Sequence, residues 1–260
     1  MNLIQINKFS HLHDEEQIFF SKTDYLEQAF KKISKLKYKV ILISGNSDYC
    51  ITDEVIKKMP QNIHKWFCQN RLSDNPTLEA IPIGIENTIE CKIQGHGHVW
   101  PHAHEKNEIL QKIKPQNTDN KNLIYANFNI STNQKHRVFI RDYILKLQHI
   151  TWKEPSLKYI EFINDISRHD AVICAQGNGP GDNHRIYETM YVNKVAITFN
   201  QIQYKYLHRL YPTLLIETIE DLKDQKKIEE RIKVTKTKIN KEYLDCDYWI
   251  EKIIKEKNQL

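Results

Sequence analysis

Glycine and proline are scarce in this chain of 260 residues, at seven and eight. So few turn-formers exclude collagen-like and linker-dominated architectures, and no self-similarity recurs at a period of about 20 to 50 residues, which sets solenoids aside. No run approaches the roughly 18 apolar residues of a membrane-spanning helix. The opening residues, Met1 to Asn7, lack the basic stretch and long apolar run of a secretion signal. The expectation is a cytoplasmic protein without a transmembrane segment, peripheral contact with a membrane surface being left open.

Cysteine is thinly used. Cys50, Cys68, Cys91, Cys174 and Cys246 are odd in number and widely spaced, with no Cys-x-x-Cys pair, so they read as reduced structural thiols. Charge of one sign is not concentrated either. The net charge is +5, yet residues 1–115 hold 15 Lys+Arg against 14 Asp+Glu, 116–220 hold 12 against 10, and 221–260 hold 11 against 9. A nucleic-acid reader gathers its cations along one stripe, so this even spread argues against nucleic acid as a partner and reads as solvated helix faces.

What is present is an alternation of apolar runs and amphipathic stretches. Leu26, Phe30, Ile33 and Leu36 recur at helical spacing, and Val40 to Ile43 then form a continuous apolar run ended by Ser44-Gly45-Asn46-Ser47-Asp48. The same reading predicts a helix over 52–59 and strands at 63–68 and 80–85. Residues 92–120 are polar and His-rich and break the rhythm. We place a boundary near 116, giving an N-terminal half, 1–115, and a C-terminal half, 116–260.

The second half opens with a strand at 123–126, then a helix capped by Ser131, Thr132 or Asn133 and running to about 147. Ser156 caps the next helix, where Leu157, Ile160, Ile163 and Ile166 recur. Strands at 171–175, 195–199 and 214–216 and a short helix over 183–191 follow. Past Glu217 the apolar residues suffice for amphipathic helices that dock on the core. Alternation of this kind predicts an α/β chain with mostly parallel sheets.

The stretch Gln176-Gly177-Asn178-Gly179-Pro180-Gly181-Asp182-Asn183-His184-Arg185 lies between a buried strand and a helix. A strand, a glycine-rich turn and a helix N-terminus form an anion site, because free backbone N–H groups and the positive end of the helix dipole converge there. No Gly-Lys-Ser/Thr is present, the spacing is Gly-x-Gly-x-Gly, and the next strand ends in neutral Asn200, so P-loop and nicotinamide-dinucleotide sites are disfavoured. Arg185 and Glu188 share one helix face. A guanidinium there can take phosphate charge and a carboxylate can accept ribose hydroxyls, which suits a nucleoside diphosphate; the alternative is a plain surface ion pair behind a tight turn.

This stretch resembles the nucleotide-sugar motif of exostosin-like glycosyltransferases. So, in order along the chain, do Ser44 to Tyr49, Trp66 to Asn70, Ile81 to Asn87, Tyr125 to Phe128 through Arg137, and Tyr243 to Ile250. The resemblance implies a GT-B-like fold, two Rossmann-like halves facing a cleft, with a nucleotide-sugar donor held by the C-terminal half and a glycan or glycoconjugate acceptor opposite. Carried over, Gly177, Gly179 and Gly181 wrap the diphosphate, with Asn178, Asp182 and His184 beside them. Arg185 neutralises it, Glu188 holds the ribose, and Asn127 and Arg137 approach the same phosphates. This sequence departs from the family pattern at Pro180-Gly181 and at Asn193 to Ile197.

No Asp-x-Asp motif appears, so neither a metal nor a separate cofactor is demanded, and Arg185 with oriented N–H groups would stabilise the leaving group. Asp48, in the loop after the first half's central strand, is the candidate general base; its alternative role is to order that loop. The imidazoles of the His-rich residues 96–104 could bind zinc or copper, but no cysteine or His-Glu-x-x-His spacing supports a geometry, so they read as an acceptor-contacting or solvated loop. Of the tryptophans, Trp100 is the one offered for stacking on a sugar. A non-catalytic nucleotide- or glycan-binding protein of the same fold is the rival reading.

Overall fold

The structure, a computed structural model, describes residues 1–113, 123–155, 157–179, 181–199 and 202–260. The boundary near 116, the cap at Ser156, Pro180 and Asn200 lie outside the described residues.

The first half comprises α1 (Ile6–Ser10), β1 (Ile18–Lys22), α2 (Leu26–Ile33), β2 (Val40–Gly45), α3 (Asp53–Ile56), β3 (Ile63–Cys68), β4 (Leu78–Ala80) and α4 (Ala103–Lys112). Its sheet runs β1-β2-β3-β4, with every pairing parallel. β2 is buried along its whole length because helices cover both faces. Val40 and Leu42 pack with Phe30 and Ile33 of α2, whereas Ile41 and Ile43 pack on the other side with Ile6 and Phe9 of α1.

The expected strand over 80–85 stops early. Pro82 has no N–H for a ladder, and Gly84 takes φ +68, where a Cβ would meet the Ile4 carbonyl oxygen at 2.1 Å. The helix expected over 52–59 is a single turn, α3, with none of its residues buried. The strand β1 and the helices α1 and α4 are not among the expected elements, nor, in the second half, is the strand Ile150–Trp152.

The second half comprises β5 (Ile124–Ala126), α5 (Gln134–Ile144), β6 (Ile150–Trp152), α6 (Tyr159–Ser167), β7 (Ala171–Ile173), α7 (His184–Tyr191), β8 (Val195–Phe199), β9 (Leu214–Ile216), α8 (Gln225–Lys236) and α9 (Cys246–Lys257). The sheet order is β6-β5-β7-β8-β9, again all parallel. Ile124, Ile173 and Ile197 pack with Ile140 of α5 and Ile228 of α8; Val172 and Ala196 pack with Ile163 of α6 and Ile186 of α7. The chain therefore adopts two Rossmann-like α/β halves. The strand order reverses between β5 and β7, and the crevice beyond the carboxyl ends of such strands is where ligands bind.

The helices past Glu217 divide between the halves. α8 packs in the second half, but α9 returns to the first: Trp249 and Ile253 share a cluster with Ile41, Ile43 and Phe67. Cys246 N–H donates to the Asn2 carbonyl at 2.7 Å. Trp66 and Trp249 are fully buried, so neither can stack on a sugar. No disulfide joins any of the five cysteines.

Candidate functional site

α7 follows β7 across the glycine loop, and its first two residues diverge. Arg185 lines a cavity of about 430 Å³ with Asn127, Tyr159, Phe162, Glu188 and Lys106. His184 lines a second one of about 850 Å³ with Asp48, Glu86, Asn87, His98 and Trp100. The first lies beside the β5/β7 reversal, within the second half and against α4. The second opens among the loops that follow β2, β3 and β4.

Arg185 is held from several sides. Its Nε donates to Glu188 Oε2 at 3.0 Å and its Nη1 to the Asn127 carbonyl at 2.7 Å, and its guanidinium carbon sits 3.9 Å from the Phe162 ring centroid. A guanidinium fixed this way loses little freedom when it takes an anion. Glu188 is buried and also accepts from the Tyr159 hydroxyl at 2.9 Å. Burial, and then the Glu188 charge, push the Tyr159 phenol well up, which keeps it a donor. Lys106 and Lys158 add cations against Glu105, so the lining is net positive.

The glycines do something other than what their spacing predicts. A Cβ at Gly179 would stand 2.7 Å from Asp48 Oδ1, and one at Gly181 2.2 Å from Asn70 Oδ1. Both are therefore glycines because the loop presses on the first half. Of the three loop glycines, Gly177 has open space where its Cβ would be. Asn178 is exposed beside it.

Three further residues expected at the donor are placed elsewhere. Arg137 donates to the main-chain carbonyls of Gln176 (2.8 Å), Asn129 (2.8 Å) and Ala175 (3.2 Å), bracing the stem of the glycine loop. Burial, and then the neighbouring Arg185, hold it down to about 10. Asp182 is buried and accepts from Ile83 N–H at 2.8 Å and from the Tyr187 hydroxyl, tying the halves together. Burial pushes its carboxyl up. His184 donates from Nδ1 to the Gly84 carbonyl at 2.8 Å, with the carbonyl setting the tautomer, and its ring joins the larger cavity. Asn127 does reach the smaller cavity, while its side chain donates to the Glu154 carbonyl at 3.1 Å. Asn133 holds the N-cap position of α5 in the left-handed region, φ 50, but its side chain donates to the Gly177 carbonyl instead of capping.

The His-rich segment threads past every cavity described. His98 and Trp100, whose rings meet edge-on at 4.6 Å, line the larger one, and His102 lines the smaller. Trp100 is 55% exposed, as stacking would need. Asn46 Nδ2 donates to the His96 carbonyl at 3.0 Å and Asn87 Nδ2 to that of His98 at 3.2 Å, which anchors the segment. Among the described residues, no three His, Cys, Asp or Glu side chains gather as a metal site.

Sequence reasoning missed Lys106, Tyr159 and Phe162. Only the packing of α4 and α6 brings them to Arg185, and no local motif announces it.

No protein-family model and no curated protein matches the chain. Among solved structures it is similar to the β-glucosyltransferase of T4 phage, at 10% identity and a TM-score of 0.39, covering 98% of this chain and 81% of that one. It is also similar to the wall teichoic acid polymerase TagF, at 10% identity and a TM-score of 0.29, covering 98% and 94%.

Proposed function

We propose that the chain is a glycosyltransferase of GT-B type, moving a sugar from a nucleotide-sugar donor to a glycan or glycoconjugate acceptor. The observation that carries this reading is the fixed Arg185, with Glu188 behind it, in a donor-sized cavity at the strand-order reversal, beside a larger polar cavity. The motif's resemblance to exostosin-like enzymes supports the assignment.

In this reading the diphosphate sits against Arg185, with Lys106 and Lys158 on the rim and the open side of Gly177 leaving room for main-chain contact. Glu188 accepts from the ribose through lone pairs that Tyr159 and Arg185 leave unused. Charge that develops on the leaving diphosphate meets a guanidinium already oriented, so little reorganisation is needed. The acceptor lies in the larger cavity, stacked on Trp100. Its hydroxyl loses a proton to Asp48 or to His184 Nε2, both of which line that cavity.

A direct assay decides the matter. Incubating the protein with UDP-, GDP- and CMP-sugars is expected to release free nucleoside diphosphate or monophosphate, slowly by hydrolysis and faster with a glycan acceptor. Saturable binding of the nucleotide without any turnover would favour the rival, a non-catalytic binding protein. Absence of binding for all of them would refute both.

A further inference from the structure

A third hollow, of about 530 Å³, lies on the other side of the His-rich segment, lined in part by His13, Phe19, Tyr25, Lys32, Lys92 and His96. It flanks β1, the edge strand of the first sheet. The N–H of Phe20 donates to His13 Nδ1 at 3.2 Å, and that of Lys22 to His96 Nδ1 at 3.0 Å. Two main-chain donors of an unpaired edge are thereby satisfied.

The consequence lies in the tautomer. A neutral imidazole that accepts at Nδ1 carries its proton at Nε2, so both rings present an N–H donor on the side away from the strand. Burial holds both imidazoles below their ordinary range, which keeps this neutral form in place. Lys32 is exposed at the rim, and the Lys92 ammonium donates to the His13 carbonyl. The lining has a single carboxylate, Glu15, 3.7 Å from His13 Nε2 and with its side chain 81% exposed. Phe19, Leu36 and Ile93 supply an apolar wall, and the Tyr25 ring lies 4.9 Å from that of His96. Convergent N–H donors and ammonium groups over an apolar wall, in a volume of this size, are the make-up of a small-molecule site.

We propose that this hollow is a second binding site, for a small organic anion: a phosphate or carboxylate carried on a body with one apolar face, of the size of a single sugar. It is separate from the donor cavity but adjoins the acceptor side. His96 lines the hollow while its chain neighbours Gly95 and Gly97 line the larger cavity.

The test is calorimetric titration of the full chain with glucose 6-phosphate, glucuronate, a hyaluronan tetrasaccharide bearing the same carboxylate within a glycan, and neutral glucose. Saturable binding of at least one anionic probe is expected, with glucose at least about tenfold weaker and UDP not competing. Tighter binding of the tetrasaccharide marks a subsite for an acidic glycan; preference for the free acids marks a metabolite site. Lys32→Glu, at an exposed position where folding is not at stake, is expected to weaken the bound anion about tenfold or more. Equal binding of glucose, an unaltered affinity in Lys32→Glu, displacement by UDP, or no binding of any anion would each overturn the proposal. None of these readouts depends on glycosyl transfer, so the proposal and the enzymatic assignment stand or fall separately.

Discussion

Lys106 Nζ stands 2.6 Å from Glu86 Oε1, and the two residues belong to different cavities, Lys106 to the one holding Arg185 and Glu86 to the one holding His184. The ion pair joins α4 to the loop after β4 at the place where the two spaces adjoin. A sugar passing from donor to acceptor would cross beside it. Lys106→Ala is expected to lower transfer about tenfold or more while leaving the affinity for UDP within a few-fold, since a buried-rim pair positions more than it binds. Steady-state kinetics beside calorimetry would show the split.

Arg185→Lys keeps the charge but loses the fork that holds Asn127 and Glu188 together. Transfer is expected to fall about 10²- to 10³-fold, the scale seen when an oriented transition-state donor is removed. A drop below about fivefold would assign the electrostatic role to Lys106 or Lys158 instead.

The two candidate bases, Asp48 and His184, can be told apart. His184→Asn retains a donor toward the Gly84 carbonyl, and Asp48→Asn keeps its shape beside Gly179. The variant lacking the true base is expected to lose about 10²- to 10⁴-fold in transfer with donor affinity unchanged, and the other to lose little.

How much of this was legible in the sequence depended on whether a signal was local. β2, β8 and β9 are short, largely buried apolar runs, and β3 carries Ile63 and Trp66 to Cys68 around an exposed His64, so their limits are legible almost residue for residue. β1 has only Ile18, Phe19 and Phe20 to mark it, and α4 only Ala103, Ile109 and Leu110 among polar neighbours, so both were passed over. Three-residue spacing places Arg185 and Glu188 on one face of α7, where the structure pairs them. The glycines misled, since Gly-x-Gly-x-Gly cannot reveal that Asp48 and Asn70 press on the second and third. Asp182 likewise reads as a ligand contact until the Ile83 N–H that it accepts is seen.

The glycine series tests that distinction. Gly181→Ala must displace Asn70, whose Nδ2 donates to the Ser47 carbonyl at 2.8 Å, and a loss of about 1–3 kcal/mol of stability is expected from the overpacking. Gly177→Ala is expected to leave the melting temperature unchanged and to weaken nucleotide binding. Equal melting temperatures for the two variants would show that the loop does not bear on the first half.

Acid should destabilise the fold. Burial comes first in holding His13, His96, His136 and His169 below the ordinary value of 6.5, with Lys22, Lys32 and Lys92 reinforcing it around the first two. The folded state therefore binds fewer protons than the unfolded chain, and the stability these rings contribute is full above about 6.5 and is lost as pH falls below it. Melting temperatures taken across this interval should decline toward acid; a level profile would mean that the rings charge freely in place.

The return of α9 to the first sheet has a bearing on how the chain is made. One flank of β2, carrying Ile41 and Ile43, is covered in part by α1, and its cover is completed only when Trp249 and Ile253 arrive, some two hundred positions later in translation. Until then, the nascent first half exposes an oily surface at the ribosome exit, so its completion belongs to the end of synthesis and the two halves mature together.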